Sequence, residues 1–404
     1  MERVENCSYD EFLNSYLLAN KPCILSSSFT ANWPCRRKWT LLPGVPNWQF
    51  LQQTYGVQTV TVADCATRDF SDQKREEMLL SQAIERLQIA RDGRLDIPYI
   101  KDWHLVRHSS DLSDPEDRSP YDVPNLFQDD WLNNVPPDRD DFRFCYAGVE
   151  SSFTPLHRDV YTSYSWSTNV VGRKIWHFFP PQVAHHLRRD PSYRRSEIVF
   201  DIRDVDEKTF PSWPEAKKHE IVIIQEPGET IFVPSGWYHQ VINLTDCISL
   251  NQNWCNSVNL PSLYSSMKEA TEDVEAAIAD VRSMLIQVHA TSLDSADQTT
   301  PQDDWRVEWH RQVNTLLKLD AGWGWEDFFR MISRNIDNET MAASLELRPT
   351  RSFTLDRVRA IIDDFGPRPK DPRSIANPMY THLPEVREAV EEVLSKMVGL
   401  DAQE

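Results

Sequence analysis

The feature that most restricts the fold of this chain is a run of short β-rich segments between residues 142 and 256. Segments 142–149, 163–171, 174–179, 220–225, 230–233, 239–244 and 248–254 are rich in β-branched and aromatic residues, which suit a pleated surface. Tight turn signals separate them, among them Gly172, Glu226-Pro-Gly-Glu229 and Ser235-Gly-Trp237. Many short strands joined in this way indicate a sandwich or a barrel. The expected core is a double-stranded β-helix, or jelly roll, whose mouth suits a buried metal.

Helical patterns flank that core, so the expected class is mainly β with helices. Region 1–141 reads as N-terminal α/β elements packing on the barrel. Ser8 is placed to cap a helix with Phe12, Tyr16 and Leu17 on its apolar face, and a short strand follows at 22–25. A helix over 46–55, a strand over 59–63, a charged amphipathic helix over 74–91 and a strand over 98–103 come next. The stretch 109–141 is rich in Pro, Asp and Ser and reads as irregular, with one short helix near 128–132. Region 142–256 is the barrel, and 257–404 turns helical.

In that last region Val274, Ile278, Val281, Leu285 and Val288 make an apolar helical stripe. It suits packing against the barrel or the seam of a homodimer formed through the C-terminal helices. A polar linker is expected over 291–304, then helices over 309–317, 325–336, 354–365 with Thr354 as cap, and 384–398 closed by Gly399. Trp305, Trp309, Trp323, Trp325, Phe328 and Phe329 read as a small helical core or a partner surface.

Composition narrows the partners. A chain of 404 residues accommodates one large domain and an appendage. Its net charge of −19 gives no basic surplus for phosphate contacts, so no direct nucleic-acid binding is expected. The 7 cysteines are scattered without a C-x-x-C pair, against a disulfide framework or a zinc cluster. Met1-Glu-Arg-Val-Glu5 leads into no apolar run, and no stretch reads as a membrane span. The expectation is a protein with no membrane association, located in the cytoplasm and also the nucleus.

The chemistry centres on Thr154-Pro-Leu-His157-Arg-Asp159, answered downstream by Pro234-Ser-Gly-Trp-Tyr-His239. Residues i and i+2 of an extended segment share a face, so His157 and Asp159 point the same way. His239 opens a distant strand, and only a folded barrel brings it to the pair. Two histidines and one carboxylate form the triad that holds Fe(II) on one face and leaves the other open. Zinc accepts the same ligands. Lys174 opens an apolar strand: it either snorkels to the surface or points inward to pair with an anionic cosubstrate, with the Thr154 hydroxyl beside it. Asn251 and Asn253 alternate on a late strand and can line a polar interior.

Taken together, Thr154–Asp159, Ser163–Asn169, Gly172-Arg-Lys-Ile-Trp176, Phe179-Pro-Pro181, Gly236–Asn243 and Asn253-Trp254 resemble the JmjC domain of the Fe(II)- and 2-oxoglutarate-dependent oxygenases. That domain has a cupin-like barrel. Within the family the chain is most similar to the jumonji domain-containing protein 4 group, relatives of the JMJD6-type lysyl hydroxylases. Asn20-Lys-Pro-Cys23, Pro46-Asn-Trp48 and Lys101-Asp-Trp-His-Leu105 extend the likeness upstream, over about residues 8–260.

The resemblance implies Fe(II) on His157, Asp159 and His239, with no further catalytic residue. It implies 2-oxoglutarate held by Lys174 and Thr154, with Asn253, Tyr146 and either Ser167 or Asn169 on the same pocket. It implies a dioxygenase that uses O2 to hydroxylate a protein, and specifically a lysine of a translation termination factor. A JmjC histone lysine demethylase and a non-catalytic JmjC scaffold are the alternatives.

Overall fold

The computed structural model describes all residues except 91–95, 136–141, 295–304, 337–344, 367–375 and 402–404. The chain divides into two compact units, Met1–Cys255 and Asn256–Glu404.

Eight strands form the barrel: β1 (Arg143–Gly148), β2 (Phe153–Arg158), β3 (Tyr164–Val171), β4 (Lys174–Phe179), β5 (Ile221–Gln225), β6 (Thr230–Val233), β7 (Tyr238–Asn243) and β8 (Cys247–Trp254). They fall into two antiparallel sheets, in the order β6-β3-β8-β1 within the large sheet and β5-β4-β7-β2 in the small one. The chain crosses between the sheets at nearly every turn, which is the winding of a double-stranded β-helix. Trp166, Phe232 and Trp254 are fully buried on one side of this core, and Trp176 and Phe178 on another.

Region 1–141 adds strands to the barrel itself. Glu2–Val4 and Cys23–Leu25 extend the large sheet beyond β6. Pro98–Trp103, Thr59–Asp69 and Asp72–Leu79 extend it beyond β1. Ser8 caps its helix, accepting from the Glu11 amide, and Phe12, Tyr16 and Leu17 are buried.

Several expectations are corrected here. The single helix over 74–91 is a strand, Asp72–Leu79, followed by a helix, Leu80–Ala90. Its charged first half lies on an edge strand paired to Thr59–Asp69, where charged side chains remain solvated. The helical spacing of buried residues starts only at Leu80, Ala83, Ile84 and Leu87. No helix forms at 128–132. A short 3-10 turn, Asn125–Phe127, precedes it. The Asp130 carboxylate then takes the Leu132 and Asn133 amides and competes with helical bonding.

The second unit is helical: Leu260–Ala277, Ala279–Asp294, Trp305–Ala321, Trp325–Asn335, Arg351–Phe365, Pro378–His382 and Pro384–Asp401. Its core gathers Tyr264, Trp325, Phe328, Phe329 and Phe365, with Trp325 and Phe365 centroids 4.7 Å apart. Thr350, not Thr354, caps Arg351–Phe365; Thr354 is buried and donates to Ser257. Gly399 lies inside Pro384–Asp401 rather than past its end. The expected stripe is broken at Ile278 between two helices, and none of its five residues is buried. The linker expected over 291–304 is helical to Asp294; the remainder lies outside the described residues. Among the described residues, no helix is long and apolar enough to cross a membrane.

Candidate metal centre

His157 sits near the end of β2, and His239 lies directly across from it on β7. Their ring centroids are 4.3 Å apart. Asp159 follows at the start of a short turn, Val160–Thr162, in which Tyr161 and Thr162 both have left-handed backbone (φ 51° and 53°). Such angles are strained for bulky and β-branched residues, and the strain falls where the chain reverses toward β3. One ligand atom from each of His157, Asp159 and His239 lies within 4.8 Å of the others.

Each ligand is oriented by a second group. His157 Nδ1 is 2.9 Å from the Pro155 carbonyl oxygen, and His239 Nδ1 is 3.2 Å from that of Trp237. A carbonyl only accepts, so Nδ1 carries the proton in both rings and Nε2 keeps its lone pair for a metal. Ser165 Oγ donates to one Asp159 oxygen at 2.8 Å and leaves the other for a cation. Trp176 and Phe178 wall the His239 ring, with centroids at 5.6 and 5.7 Å. Burial, then the neighbouring His157, pushes His239 down to about 4, so it is neutral at physiological pH. Neutral imidazole is the form that ligates.

The triad opens into a cavity lined by Tyr99, Tyr146, Thr154, Ser165, Lys174, Trp176, Val241, Asn251 and Asn253. Thr154 and His157 are an odd number of residues apart, so a regular strand would send them to opposite faces. The β2–β7 register shifts between the His239–His157 and Val241–Thr154 pairs. The bulge falls at Pro155–Leu156, on an edge strand where proline removes no ladder bond the sheet needs. It turns both side chains inward.

Lys174 begins β4 and is 2% exposed. Its Nζ donates to Ser249 Oγ at 2.6 Å. Among the described residues no carboxylate pairs with it, and burial pulls it down to about 8. A buried ammonium bonded to one neutral hydroxyl is costly and is relieved by an anion.

The remaining expected residues separate. Asn253 lines the cavity and donates to Ser163 Oγ. Ser167 is not on the lining: its hydroxyl donates to Asn251 Oδ1, and Asn251 occupies the wall in its place. Asn169 turns away as well, donating to the Gly172 and Gln225 carbonyls. Tyr146 lines the cavity with its hydroxyl bonded to Asp102. Sequence reasoning missed Tyr99, Ser165, Ser249 and Asp102. Ser249 was within reach, since the alternation through Asn251 and Asn253 extends back to it. Tyr99 and Asp102 come from an upstream strand that only the sheet order brings alongside β1.

A two-histidine, one-carboxylate set with His239 buried and His157 and Asp159 half-buried, beside a buried lysine that among the described residues has no carboxylate partner, has the donors for iron and for an anionic cosubstrate. The Cupin-like domain family matches residues 9–259. The chain belongs to the cupin-like JmjC family of 2-oxoglutarate- and iron-dependent oxygenases. It is 34% identical over 337 residues to the 2-oxoglutarate and iron-dependent oxygenase JMJD4 of Mus musculus, covering 80% of this chain and 71% of that protein. It is 32% identical to the Danio rerio protein of the same name, covering 96% of this chain and 91% of that one. The arginine-specific demethylase JMJ20 of Arabidopsis thaliana is 36% identical, over 83% of this chain and 70% of its own length. The protein is an oxygenase whose cofactors are iron and 2-oxoglutarate.

Proposed function

We propose that this oxygenase hydroxylates a protein, and that its target is a lysyl side chain of a translation termination factor. His157, Asp159 and His239 would hold the iron, and Lys174, with Thr154 and Tyr99 nearby, the far carboxylate of 2-oxoglutarate. Iron and 2-oxoglutarate, once bound, supply the O2 chemistry that inserts oxygen into a C–H bond. The chain's own residues do the rest. Lys174 neutralises one end of the cosubstrate. The Pro155 and Trp237 carbonyls and Ser165 fix the three ligands. Trp176 and Val241 exclude water from one wall.

The observation that carries the cosubstrate assignment is the buried ammonium of Lys174 without a carboxylate partner among the described residues. Likeness to 2-oxoglutarate and iron-dependent oxygenases over most of the chain supports the oxygenase chemistry, and the lysyl target rests on the family resemblance of the motifs around His157 and His239. Likeness to an arginine-specific demethylase supports a second reading, removal of an N-methyl group by the same centre.

The test is to incubate the protein with Fe(II), 2-oxoglutarate and a eukaryotic termination factor, with His157→Ala alongside, and analyse the factor by mass spectrometry. One added oxygen on a lysine, absent with His157→Ala, is expected. Loss of a methyl group from an arginyl or lysyl peptide, with no oxygen added to the factor, would replace the hydroxylase reading with the demethylase one.

A further inference from the structure

The family resemblance groups Tyr146 with the cosubstrate, but its hydrogen bonding points to a different ligand. The Tyr146 hydroxyl is 2.6 Å from Asp102 Oδ1. Burial opposes ionisation of Asp102, yet Lys101, Arg75 and the Tyr146 hydroxyl outweigh it and hold its carboxyl below the ordinary value. A carboxylate has no hydrogen to give, so the phenol is the donor. Its single hydrogen is therefore committed, and its oxygen offers only lone pairs to the cavity it lines.

The cavity thus has two unlike poles, Lys174 on β4 of the small sheet and Tyr146 on β1 of the large one. Ser249 of β8, the partner of Lys174, pairs in register with Tyr146 of β1. Lys174 is a donor and suits a dicarboxylate. Tyr146 is an acceptor and does not: 2-oxoglutarate at neutral pH and O2 both lack an N–H or O–H to give it. A substrate N–H entering the cavity would satisfy Tyr146.

We infer that Tyr146, held by Asp102, receives an N–H of the substrate side chain and so selects side chains that carry one, lysyl or arginyl, over apolar ones. The inference rests on the oxygenase reading of the site. Arg75 occupies the second Asp102 oxygen at 2.6 Å, so the pair presents a polarised phenol rather than a bare carboxylate. Burial, then Asp102, pushes the Tyr146 phenol up, so it keeps its hydrogen and the Asp102 bond stays made. The backbone at Asp102 is left-handed (φ 54°), an angle the side-chain bonds to Tyr146 and Arg75 help to hold.

The test uses the full chain loaded with Mn(II) and 2-oxoglutarate under argon. Nα-acetyl-lysine amide and Nα-acetyl-norleucine amide are titrated in, and Mn(II)-induced broadening of their proton NMR lines is followed. Saturable broadening of the lysine derivative at least about tenfold tighter than that of norleucine is expected, from one charge-assisted hydrogen bond. Tyr146→Phe should bring lysine to the norleucine level. Its 2-oxoglutarate affinity, read by tryptophan fluorescence, should change less than about twofold, which also shows that the variant is folded.

Equal or absent broadening of the two derivatives in the wild type overturns the inference. So does a Tyr146→Phe variant that loses 2-oxoglutarate affinity but keeps the lysine preference. A lysine preference lost in Tyr146→Phe, with no oxygen added to the termination factor, removes that substrate and leaves this inference standing. Oxidation of the factor without any lysine preference does the reverse.

Discussion

Lys174 gives a prediction whose size follows from its surroundings. Burial takes it from an ordinary lysine value of 10.5 to about 8. That difference corresponds to about 3 kcal/mol withheld from the charged form. A bound dicarboxylate restores the charge and raises the value again, so above pH 8 the cosubstrate binds together with a proton. The bound state then holds more protons than the free one, and affinity falls as pH rises through 8. The dissociation constant for 2-oxoglutarate should be flat below about pH 7.5 and weaken by up to about tenfold per pH unit above pH 8. Anaerobic calorimetry on the Mn(II)-loaded protein measures it.

Lys174→Met should lose about a hundredfold in affinity and lose this pH slope with it. The same substitution has an opposite effect on the protein without cosubstrate. Folded Lys174 titrates below its unfolded value, so the unfolded chain binds more protons between pH 8 and 10.5, and wild-type stability rises with pH across that window. At pH 7 the full cost of the buried charge is present. Lys174→Met should therefore raise stability there by about 1–3 kcal/mol, less what Ser249 loses with its partner. Wild-type and Lys174→Met proteins with the same pH profile for 2-oxoglutarate, and no gain in stability in the variant, would refute the reasoning.

Two further substitutions probe the scaffold. Gly172 turns β3 into β4 at φ 85°, where a Cβ would overlap the Asp246 carbonyl and Cys247; Gly172→Ala should cost about 2–4 kcal/mol in urea unfolding and loosen the strand that carries Lys174. Ser165→Ala removes the donor that orients Asp159 and should weaken Mn(II) binding by about tenfold while leaving thermal stability within about 1 kcal/mol.

What the sequence reveals here depends on whether a feature is local or assembled. The β4 and β6 boundaries and the turns at Gly172, Gly228 and Gly236 are legible because β-branched runs and glycine punctuation act within a few residues. The triad is legible because His157 and Asp159 share one face and His239 opens a strand of its own. The Thr154 orientation is not, since it needs a bulge that period-two reasoning rules out. Ser167 matches the family's position by sequence, whereas in the fold Asn251 from the adjacent strand lines the cavity and accepts from the Ser167 hydroxyl. The strand at Asp72–Leu79 was hidden because its charges fit a solvated helix equally well, and only pairing with Thr59–Asp69 decides between them.

The most direct test of the central claim is anaerobic addition of Fe(II) and 2-oxoglutarate, followed by visible absorption. A 2-oxo acid chelated to protein-bound Fe(II) gives a weak metal-to-ligand charge-transfer band. The wild type should show it, His157→Ala and His239→Ala should not, and Lys174→Met should need far more 2-oxoglutarate to develop it. A band of equal strength in His157→Ala and His239→Ala would contradict the assignment of the metal centre.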